Sequence, residues 1–390
     1  MRDLKDVLKG HMADSRNTTE NEILQKLEKF LLDKGYTQNM LMRDYEFDSN
    51  KSNSKLKFDL AVVENGAPVE IYEVKAFYTK PVKYTRSYQL FKSLDHLHTR
   101  VPAFIAYLNQ AGKLILQSMA PPIKSFSDFY ATLDVYVKYQ MDDNYVYFYR
   151  GHNDEQYSFQ PGIYRQSASR NISEEDIMYR EAIRHCPAEF PENMSCFEKL
   201  VKMQHYALPT RLLDITTNPL VALYFACSGA DNANGEVIFF KVKKSDIKYF
   251  DSDTVSIIAN IAKCKCDFDI DSSLSIQTFN ATANVQSLLH EIKQEKTHFK
   301  DCIKPEDLGR VLCVLPKLNN PRIAKQSGAF FLYGITKNKR NPAKLQHAPR
   351  RIVINAEYKK IILRELANLG ITNASLFPEI DNIMKSIKNK

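Results

Sequence analysis

The sequence lacks the features of a membrane, secreted or fibrous protein. No stretch approaches the roughly 18 uninterrupted apolar residues of a transmembrane helix, so none is expected and no membrane partner is predicted. Residues 1–16 are charged and have no apolar segment like that of a signal peptide. Glycine and proline, at 12 and 16 residues, are too scarce for a collagen-like or linker-rich chain.

Cysteine usage and net charge exclude further classes of protein. The seven cysteines are an odd, scattered set, which does not form a disulfide framework. The C-x-C pair Cys264 and Cys266 has no second pair at zinc-knuckle spacing. We therefore expect reduced thiols in a cytoplasmic protein. A net charge of +8 excludes a purely electrostatic, histone-like binder but is compatible with a nucleic acid or nucleotide partner.

What the sequence does contain is enough apolar material for more than one core. Its 390 residues are too many for one typical domain, and 44% of them are hydrophobic. In the first part, Thr19 and Glu22 have capping-box spacing before an apolar stripe, which predicts a helix ending near Gly35. The dipeptide Asn65-Gly66 between two β-rich runs predicts a hairpin.

The order of these elements predicts two folded units. Helix, hairpin, helix, strand and strand make an α/β unit over residues 1–125, which residues 126–143 connect to the rest. Strands alternating with many helices predict a mixed α+β unit over residues 144–340. A strand, a helix and a basic tail over residues 341–390 are expected to pack on that second unit.

Three charged residues of the predicted hairpin form the first candidate site. Glu73 and Lys75 share one face of a strand because strand side chains alternate. A three-residue loop would place Asp59 opposite Glu73, whereas a two-residue loop would place it on the other face. Both strands are apolar on both sides, where charges are costly unless they are paired or bind a metal ion. The alternatives are a magnesium-dependent nuclease site and a structural Glu73–Lys75 ion pair.

The run FDLAVVENGAPVEIYEVKA, which carries these residues, resembles the core of PD-(D/E)XK nucleases, especially the N-terminal nuclease domain of type I restriction subunits. The resemblance covers residues 18–118 and implies a restriction-endonuclease-like α/β core. It also implies that Asp59 and Glu73 bind Mg²⁺ or Mn²⁺ and that Lys75 is the catalytic lysine. DNA is the partner that this family implies.

The same resemblance extends to three further positions. Glu22 matches the acidic metal ligand that such nucleases often carry on their first helix. Gln89 matches a glutamine that some subfamilies carry on the following helix. Phe58 stands where the name-giving proline would be, which is a common departure. Nucleases of this fold often cut duplexes as homodimers, although the sequence itself carries no dimer signature.

The second candidate site is spread over three segments of the later half. The run YRGH carries Arg150 and His152 at the end of a predicted strand, and Gln326 precedes a late strand. His205 and Tyr206 follow a predicted helix and are equally consistent with pocket lining and core packing.

The run PTRLLDITTNPLVALYFA is the longest of these segments. Its helix is apolar on every side and must be buried, with Thr217 or Asn218 as cap and Pro219 at the first helical position. The free N–H groups at its start suit a phosphate or a carboxylate. Arg211 and Asp214 flank a turn just before it and could simply pair with each other.

These segments resemble the FRG domain, whose name-giving Phe-Arg-Gly is Tyr149-Arg150-Gly151 in this chain. The matching pieces span residues 144–335. The FRG domain is similar in layout to the ADP-ribosyltransferase fold, and this likeness implies NAD as a ligand. By order along the chain, Arg150 would hold NAD, and Thr216 would shape the nicotinamide pocket.

Three other residues would complete the nucleotide site that this likeness implies, namely His152, Arg211 and Asp214. Gln326 takes the position of the late-strand glutamate that binds the ribose. It is a departure from the pattern, because glutamine has no negative charge to stabilise a developing cation.

Together the resemblances imply a metal-dependent nuclease joined to an FRG domain with NAD-related activity, in bacterial defence against phages or plasmids. The alternative is an ADP-ribosyltransferase or NAD-hydrolysing enzyme whose N-terminal part binds nucleic acid without cutting it. A third interpretation is a non-enzymatic interaction module.

Overall fold

The structure is a computed structural model of the full chain, and it divides into two compact units, Met1–Ile123 and Lys124–Lys390. The boundary lies close to the one expected at residue 125. The structure describes residues 20–48, 55–64, 66–75, 103–108, 112, 114–118, 123–138, 143–165, 172–345, 349–380, 384 and 388.

The described helices differ widely in length, and the longest stand at the start of each unit and in the middle of the second. They are α1 (20–33), α2 (Phe126–Lys138), α3 (Glu175–His185), α4 (Cys196–His205), α5 (Pro219–Cys227), α6 (Asp253–Asn260), α7 (Ile276–Ala281), α8 (Ala283–Glu295), α9 (Pro305–Leu308), α10 (Pro321–Lys325), α11 (Lys359–Asn368) and α12 (Asn373–Leu376). None of these described helices is both long and apolar enough to cross a membrane.

The strands form one sheet in each unit. They are β1 (Leu41–Asp48), β2 (Lys55–Glu64), β3 (Ala67–Val74), β4 (Ala103–Leu108), β5 (Leu114–Ser118), β6 (Tyr145–His152), β7 (Leu212–Thr216), β8 (Gly235–Lys243), β9 (Ile247–Tyr249), β10 (Val311–Leu315), β11 (Gly328–Tyr333) and β12 (Arg350–Ile354). The fold is therefore mixed α/β, with helices and two mixed sheets.

Among its described residues, the first unit contains the predicted first helix, hairpin and two later strands, and it adds strand β1, which was not predicted. The apolar stripe of α1 is buried at Ile23, Leu27 and Leu31, and the helix ends before Gly35, whose φ of 94° suits glycine. The sheet order is β1-β2-β3-β4-β5, in which only β3 and β4 run parallel. A parallel pair requires a crossover connection, but the helix predicted there lies outside the described residues. The restriction-endonuclease-like core therefore stays a prediction.

The second unit contains a seven-stranded sheet ordered β12-β8-β6-β7-β11-β10-β9, with a hydrophobic core on each face. Because side chains alternate along a strand, neighbouring residues enter different cores. Leu212 and Phe330 pack with the helices α3, α4, α6 and α8, whereas Leu213 and Phe331 pack in a second, aromatic-rich core.

Helix α5 lies close against the middle of this sheet because two glycines leave room for it. A Cβ atom on Gly151 would meet the backbone oxygen of Ala222 at 2.0 Å. One on Gly235 would meet the backbone oxygen of Ala226 at 2.1 Å. Such distances exclude any side chain, so the glycine of the YRGH run is required by packing.

The segments on either side of the central fold also belong to the second unit. The expected connector, residues 126–143, contains α2, and the backbone N–H of Phe126 donates to Glu365 of α11 at 2.6 Å. Strand β12 extends the sheet by pairing with β8, so the C-terminal part completes the sheet as well as packing on it.

Candidate functional site

The hairpin brings Asp59 and Glu73 into facing positions, although the loop is the short one. Glu64 pairs with Ala67, so two residues join the strands, and this alone would put Asp59 on the wrong face. A β-bulge at Val69 adds one residue to β3 and shifts the pairing to Leu60 with Tyr72. One residue beyond the pair of Leu60 and Tyr72, the same register sets Asp59 opposite Glu73. The sequence had suggested only a choice between two loop lengths.

The three charged residues of the hairpin are held by specific contacts. Asp59 accepts a hydrogen bond at 2.6 Å from the backbone N–H of Val74. Lys75 donates to Glu73 at 2.6 Å, and the Glu73 side chain is only 13% exposed. The ion pair foreseen as the structural alternative is therefore present, on the same sheet face as the facing carboxylates.

Two other positions, Glu22 and Gln89, were matched to nuclease residues. Glu22 is more than half exposed and forms an ion pair with Lys26 one turn further along α1. Among the described residues, no group of three or more side chains of metal-binding type is close enough to hold an ion. The structure thus does not join Glu22 to Asp59 and Glu73. Gln89 lies outside the described residues.

A cleft of about 200 Å³ in the second unit brings four predicted site residues together. Arg150, Asp214, Thr216 and Gln326 all line it, although they come from β6, from β7 and from the end of α10 just before β11. Its other lining residues are Tyr149, Gly151, Val201, Gln204, His205, Ile215, Val221, Phe225, Arg322, Ile323, Gly328, Ala329 and Phe330.

Arg150 is the most constrained polar group of this cleft. Its Nη1 donates to the backbone oxygen of Asp214 at 2.6 Å, and its Nε donates to Nε2 of His152 at 2.9 Å. The nearest carboxylate oxygen, Oδ2 of Asp214, is 3.9 Å from Nη1. Burial, with Arg165 nearby, lowers the pKa of Arg150 to about 10, although Asp214 acts to raise it. The guanidinium therefore remains charged at neutral pH with little compensating charge.

His152 lies behind Arg150 rather than in the cleft. The two residues share a face of β6, and Glu236 of β8 is directly opposite His152. Because a guanidinium only donates, Nε2 of His152 must accept, so Nδ1 carries the proton and donates to Glu236 at 2.9 Å. This corrects the expectation that His152 contacts a nucleotide, because its ring is buried and turned to Arg150 and Glu236.

Asp214 is the only carboxylate among the residues that line the cleft. Its Oδ2 accepts from Nε2 of Gln204 at 2.7 Å, and Gln204 in turn accepts from the hydroxyl of Thr210. The side chain is 63% exposed, so its other oxygen faces solvent at the mouth of the cleft.

Thr216 and Gln326 join two strands at the floor of the cleft. The Thr216 hydroxyl donates to the backbone oxygen of Gln326 at 2.6 Å and accepts from the N–H of Asn218 at 3.0 Å. Asn218 caps α5 and Pro219 occupies the first helical position, as the sequence predicts. The Gln326 amide donates to the backbone oxygen of Leu376 at 3.1 Å.

Arg211 is not part of the cleft, and neither the nucleotide contact implied for it nor the alternative pairing with Asp214 is correct. Its side chain is completely buried, and it forms a two-pronged ion pair with Glu175 of α3. Lys339 approaches the same carboxylate at 3.0 Å. Burial alone would raise the pKa of Glu175, but the two cations outweigh it and hold that pKa below its ordinary value. Arg211 therefore stabilises the fold and has no access to a nucleotide.

Several cleft residues were missed or left undecided by sequence reasoning. His205 lines the cleft, whereas its neighbour Tyr206 is 68% exposed and does not. Gln204 and Arg322 also line it, and no local pattern marks them, because only the tertiary fold brings α4 and α10 beside β6 and β7.

Comparison with known proteins gives one result. The family model of the FRG domain matches residues 145–235, a segment that contains the site residues of β6 and β7 but ends before Gln326. The match is thus shorter than the expected 144–340. No curated protein and no solved structure matches the chain. An FRG domain accordingly occupies residues 145–235, in the middle of the chain rather than at its C-terminal end.

Proposed function

We propose that the cleft binds NAD and that the chain cleaves the bond between its ribose and its nicotinamide, transferring ADP-ribose to an acceptor or to water. The observation that carries this proposal is Arg150, a charged guanidinium held rigidly in a cleft, whose nearest carboxylate oxygen, on Asp214, is 3.9 Å from Nη1 and accepts no hydrogen bond from it. A positive charge in such a position attracts an anion, and the pyrophosphate of a dinucleotide is one.

The arrangement leaves one end of Arg150 available to a ligand. Its Nε and Nη1 already donate to His152 and to the backbone of Asp214, but Nη2 has no partner within the described part of the chain. Because the relay through His152 to Glu236 fixes the side chain beforehand, little conformational entropy is lost when an anion binds.

The cleft also offers a negative charge where this chemistry needs one. When nicotinamide leaves with the bonding electron pair, positive charge develops on the ribose carbon C1′, and a nearby anion stabilises it. Gln326 lacks that charge, but Asp214 is the only carboxylate among the lining residues and is oriented by Gln204. The attacking group, water or an acceptor, bonds to C1′, and its proton passes to Asp214 or to solvent.

Release of nicotinamide from NAD by the purified chain tests this proposal. Arg150→Gln is expected to reduce the rate about 100-fold, by loss of a positioned charge in the cleft. Arg180→Gln removes the same charge from the exposed surface of α3 and should leave the rate unchanged. The proposal fails if the wild-type chain releases no nicotinamide, or if both variants release it equally fast.

A second candidate function, magnesium-dependent hydrolysis of DNA, is favoured by the bulged hairpin. Asp59 and Glu73 face each other on neighbouring strands, with Lys75 beside them. Two carboxylates, completed by water and substrate phosphates, are a donor set that suits Mg²⁺. When bound, the ion would stabilise negative charge on the scissile phosphate. Lys75, released from Glu73 by the ion, would be free to approach the same phosphate.

Plasmid cleavage with Mg²⁺ or Mn²⁺ tests this second function. Glu73→Ala should abolish cutting while the circular dichroism spectrum is retained, because the change removes a ligand and leaves the apolar core intact. Glu64→Ala, on the same hairpin but near its turn, is the matched control and should still cut. Cleavage that survives Glu73→Ala would refute the assignment.

A further inference from the structure

The segment of residues 372–379, which we name the C-terminal strap, contacts the cleft at several points. The backbone oxygen of Leu376 accepts the hydrogen bond from the amide of Gln326. Oε1 of Glu379 is 3.5 Å from Nε2 of His205. Gln326 and His205 both line the cleft, so the strap is fastened to its rim.

Phe377 makes the most specific of these contacts. Its ring meets the ring of Phe225 edge-to-face, with centroids 5.9 Å apart and planes at 84°. The guanidinium carbon of Arg322 lies 4.7 Å from the centroid of the same ring. Phe225 and Arg322 are cleft-lining residues, so the chain's own aromatic ring fills a slot at the edge of the cleft.

We propose that this slot between Phe225 and Arg322 is the subsite for a planar heteroaromatic ring of the ligand, and that Phe377 occupies it until the ligand displaces the strap. An aromatic edge on one side and a guanidinium over the ring are contacts that an uncharged nucleobase such as adenine accepts in place of phenylalanine. The inference rests on the proposed nucleotide-binding function of the cleft.

The contacts that hold the strap are polar at its ends and apolar in its middle. Gln326 donates a hydrogen bond to it, Glu379 makes an ion contact at 3.5 Å with His205, and the side chain of Leu376 is buried. The turn that begins the strap is closed internally by the capping box of Thr372 and Ser375. Its end is exposed, since Ile380 is 71% exposed. Displacement of the strap as one piece would break these contacts and expose Leu376, so the ring of the ligand must replace the contacts that Phe377 makes.

A tryptophan reporter tests the displacement directly, because the chain contains no tryptophan of its own. In the full chain carrying Phe377→Trp, the indole emission should shift to the red, and acrylamide quenching should increase, when NAD is added to saturation. Inorganic pyrophosphate, which has no ring, should bind without this shift. Ile380→Trp is the control, with an exposed indole whose emission should not change on addition of NAD.

Affinity provides the second readout. Phe377→Ala removes the competing ring and should lower the Kd for NAD about 10-fold, because a state that excludes the ligand reduces its apparent affinity. Ile380→Ala should leave the Kd unchanged. If NAD binds in an Arg150-dependent manner while neither the emission nor the affinity responds at Phe377, the slot is refuted and the proposed function stands. If the wild-type chain and the Phe377→Ala variant both fail to bind NAD, both proposals are refuted.

Discussion

Single residues in the second unit owe their roles to partners that are far away in sequence. Arg150 is held by His152, and His152 by Glu236 on another strand. The alternation of strand side chains predicts that Arg150 and His152 share a face, but it does not identify Glu236. Sequence reasoning therefore identified both Arg150 and His152, but it assigned His152 the wrong role.

Replacement of His152 by alanine tests this relay. The change leaves the buried Glu236 carboxylate without its ring N–H donor and the Nε of Arg150 without its acceptor, so the free energy of unfolding should fall by about 1–3 kcal/mol. NAD affinity should fall with it, since Arg150 loses its orientation. Urea denaturation measures the first effect and calorimetry the second. His185→Ala, at an exposed histidine, should change stability by less than about 0.5 kcal/mol.

The titration of His205 provides a second test at this scale. Burial, then Arg322, lowers its pKa, Lys202 acts in the same direction, and Glu379 acts to raise it. The unfolded chain takes up this proton near pH 6.5, whereas the folded chain does so only at lower pH. The contribution of the neutral His205 ring to the free energy of unfolding is therefore complete above about pH 6.5. It is lost as the pH falls through the pKa of His205 in the folded chain.

NMR titration of the histidine ring measures this shift. Glu379→Gln should lower the midpoint further, and Arg322→Gln should raise it, because each change removes one of the charges named above. A midpoint at or above the ordinary histidine value in the wild-type chain would contradict the arrangement of these groups at the rim of the cleft.

Elements were predicted best where the signals are local. The stripe of α1, the Asn218 cap of α5 and the hairpin of β2 and β3 all follow from neighbouring residues. The bulge at Val69 could not be predicted from neighbouring residues, because no residue type marks it. Only the packing of the whole sheet selects that register. The alternative of an Arg211–Asp214 pair was wrong for a similar reason, since the true partner, Glu175, lies on α3.

The ion pairs of Glu175, which join α3 to Arg211 and Lys339, can be tested at the scale of the element. Glu175→Ala would leave Arg211 and Lys339 buried without a carboxylate, which should cost about 3–5 kcal/mol of unfolding free energy. Asp176→Ala is the matched control, because Asp176 forms only a partly exposed ion pair with Arg180 and should cost less than about 1 kcal/mol. Equal losses in the two variants by urea denaturation would contradict the buried network.

At the scale of the whole molecule, hydrophobic patterning indicated most of the strands of each sheet, but it did not indicate β1 or β9. The cleft was predictable only as a set of segments, and its geometry required the sheet order that brings β7 between β6 and β11. Phe225 belongs to a run that resembles the FRG domain, but no sequence signal places it, Gln204 or Arg322 in a cleft, because α5, α4 and α10 meet only in the folded second unit.

Thiol reactivity tests this fold of the second unit as a whole. All seven cysteines are free, and only Cys186, Cys266 and Cys302 are exposed. Burial raises the pKa of Cys196, Cys227 and Cys264 to about 12, so these groups are neither accessible nor ionised. Ellman's reagent should therefore titrate three thiols rapidly in the native chain and seven after denaturation. Rapid reaction of a fourth thiol would contradict the packing.

The central claim, that Arg150 forms an anion site for a dinucleotide, is tested most directly by isothermal titration calorimetry with ADP-ribose. The wild-type chain should bind it, and Arg150→Gln should weaken binding at least about 10-fold, because the charge that the cleft holds ready is gone. Equal affinity in the two proteins, or no binding by the wild-type chain, would contradict the account.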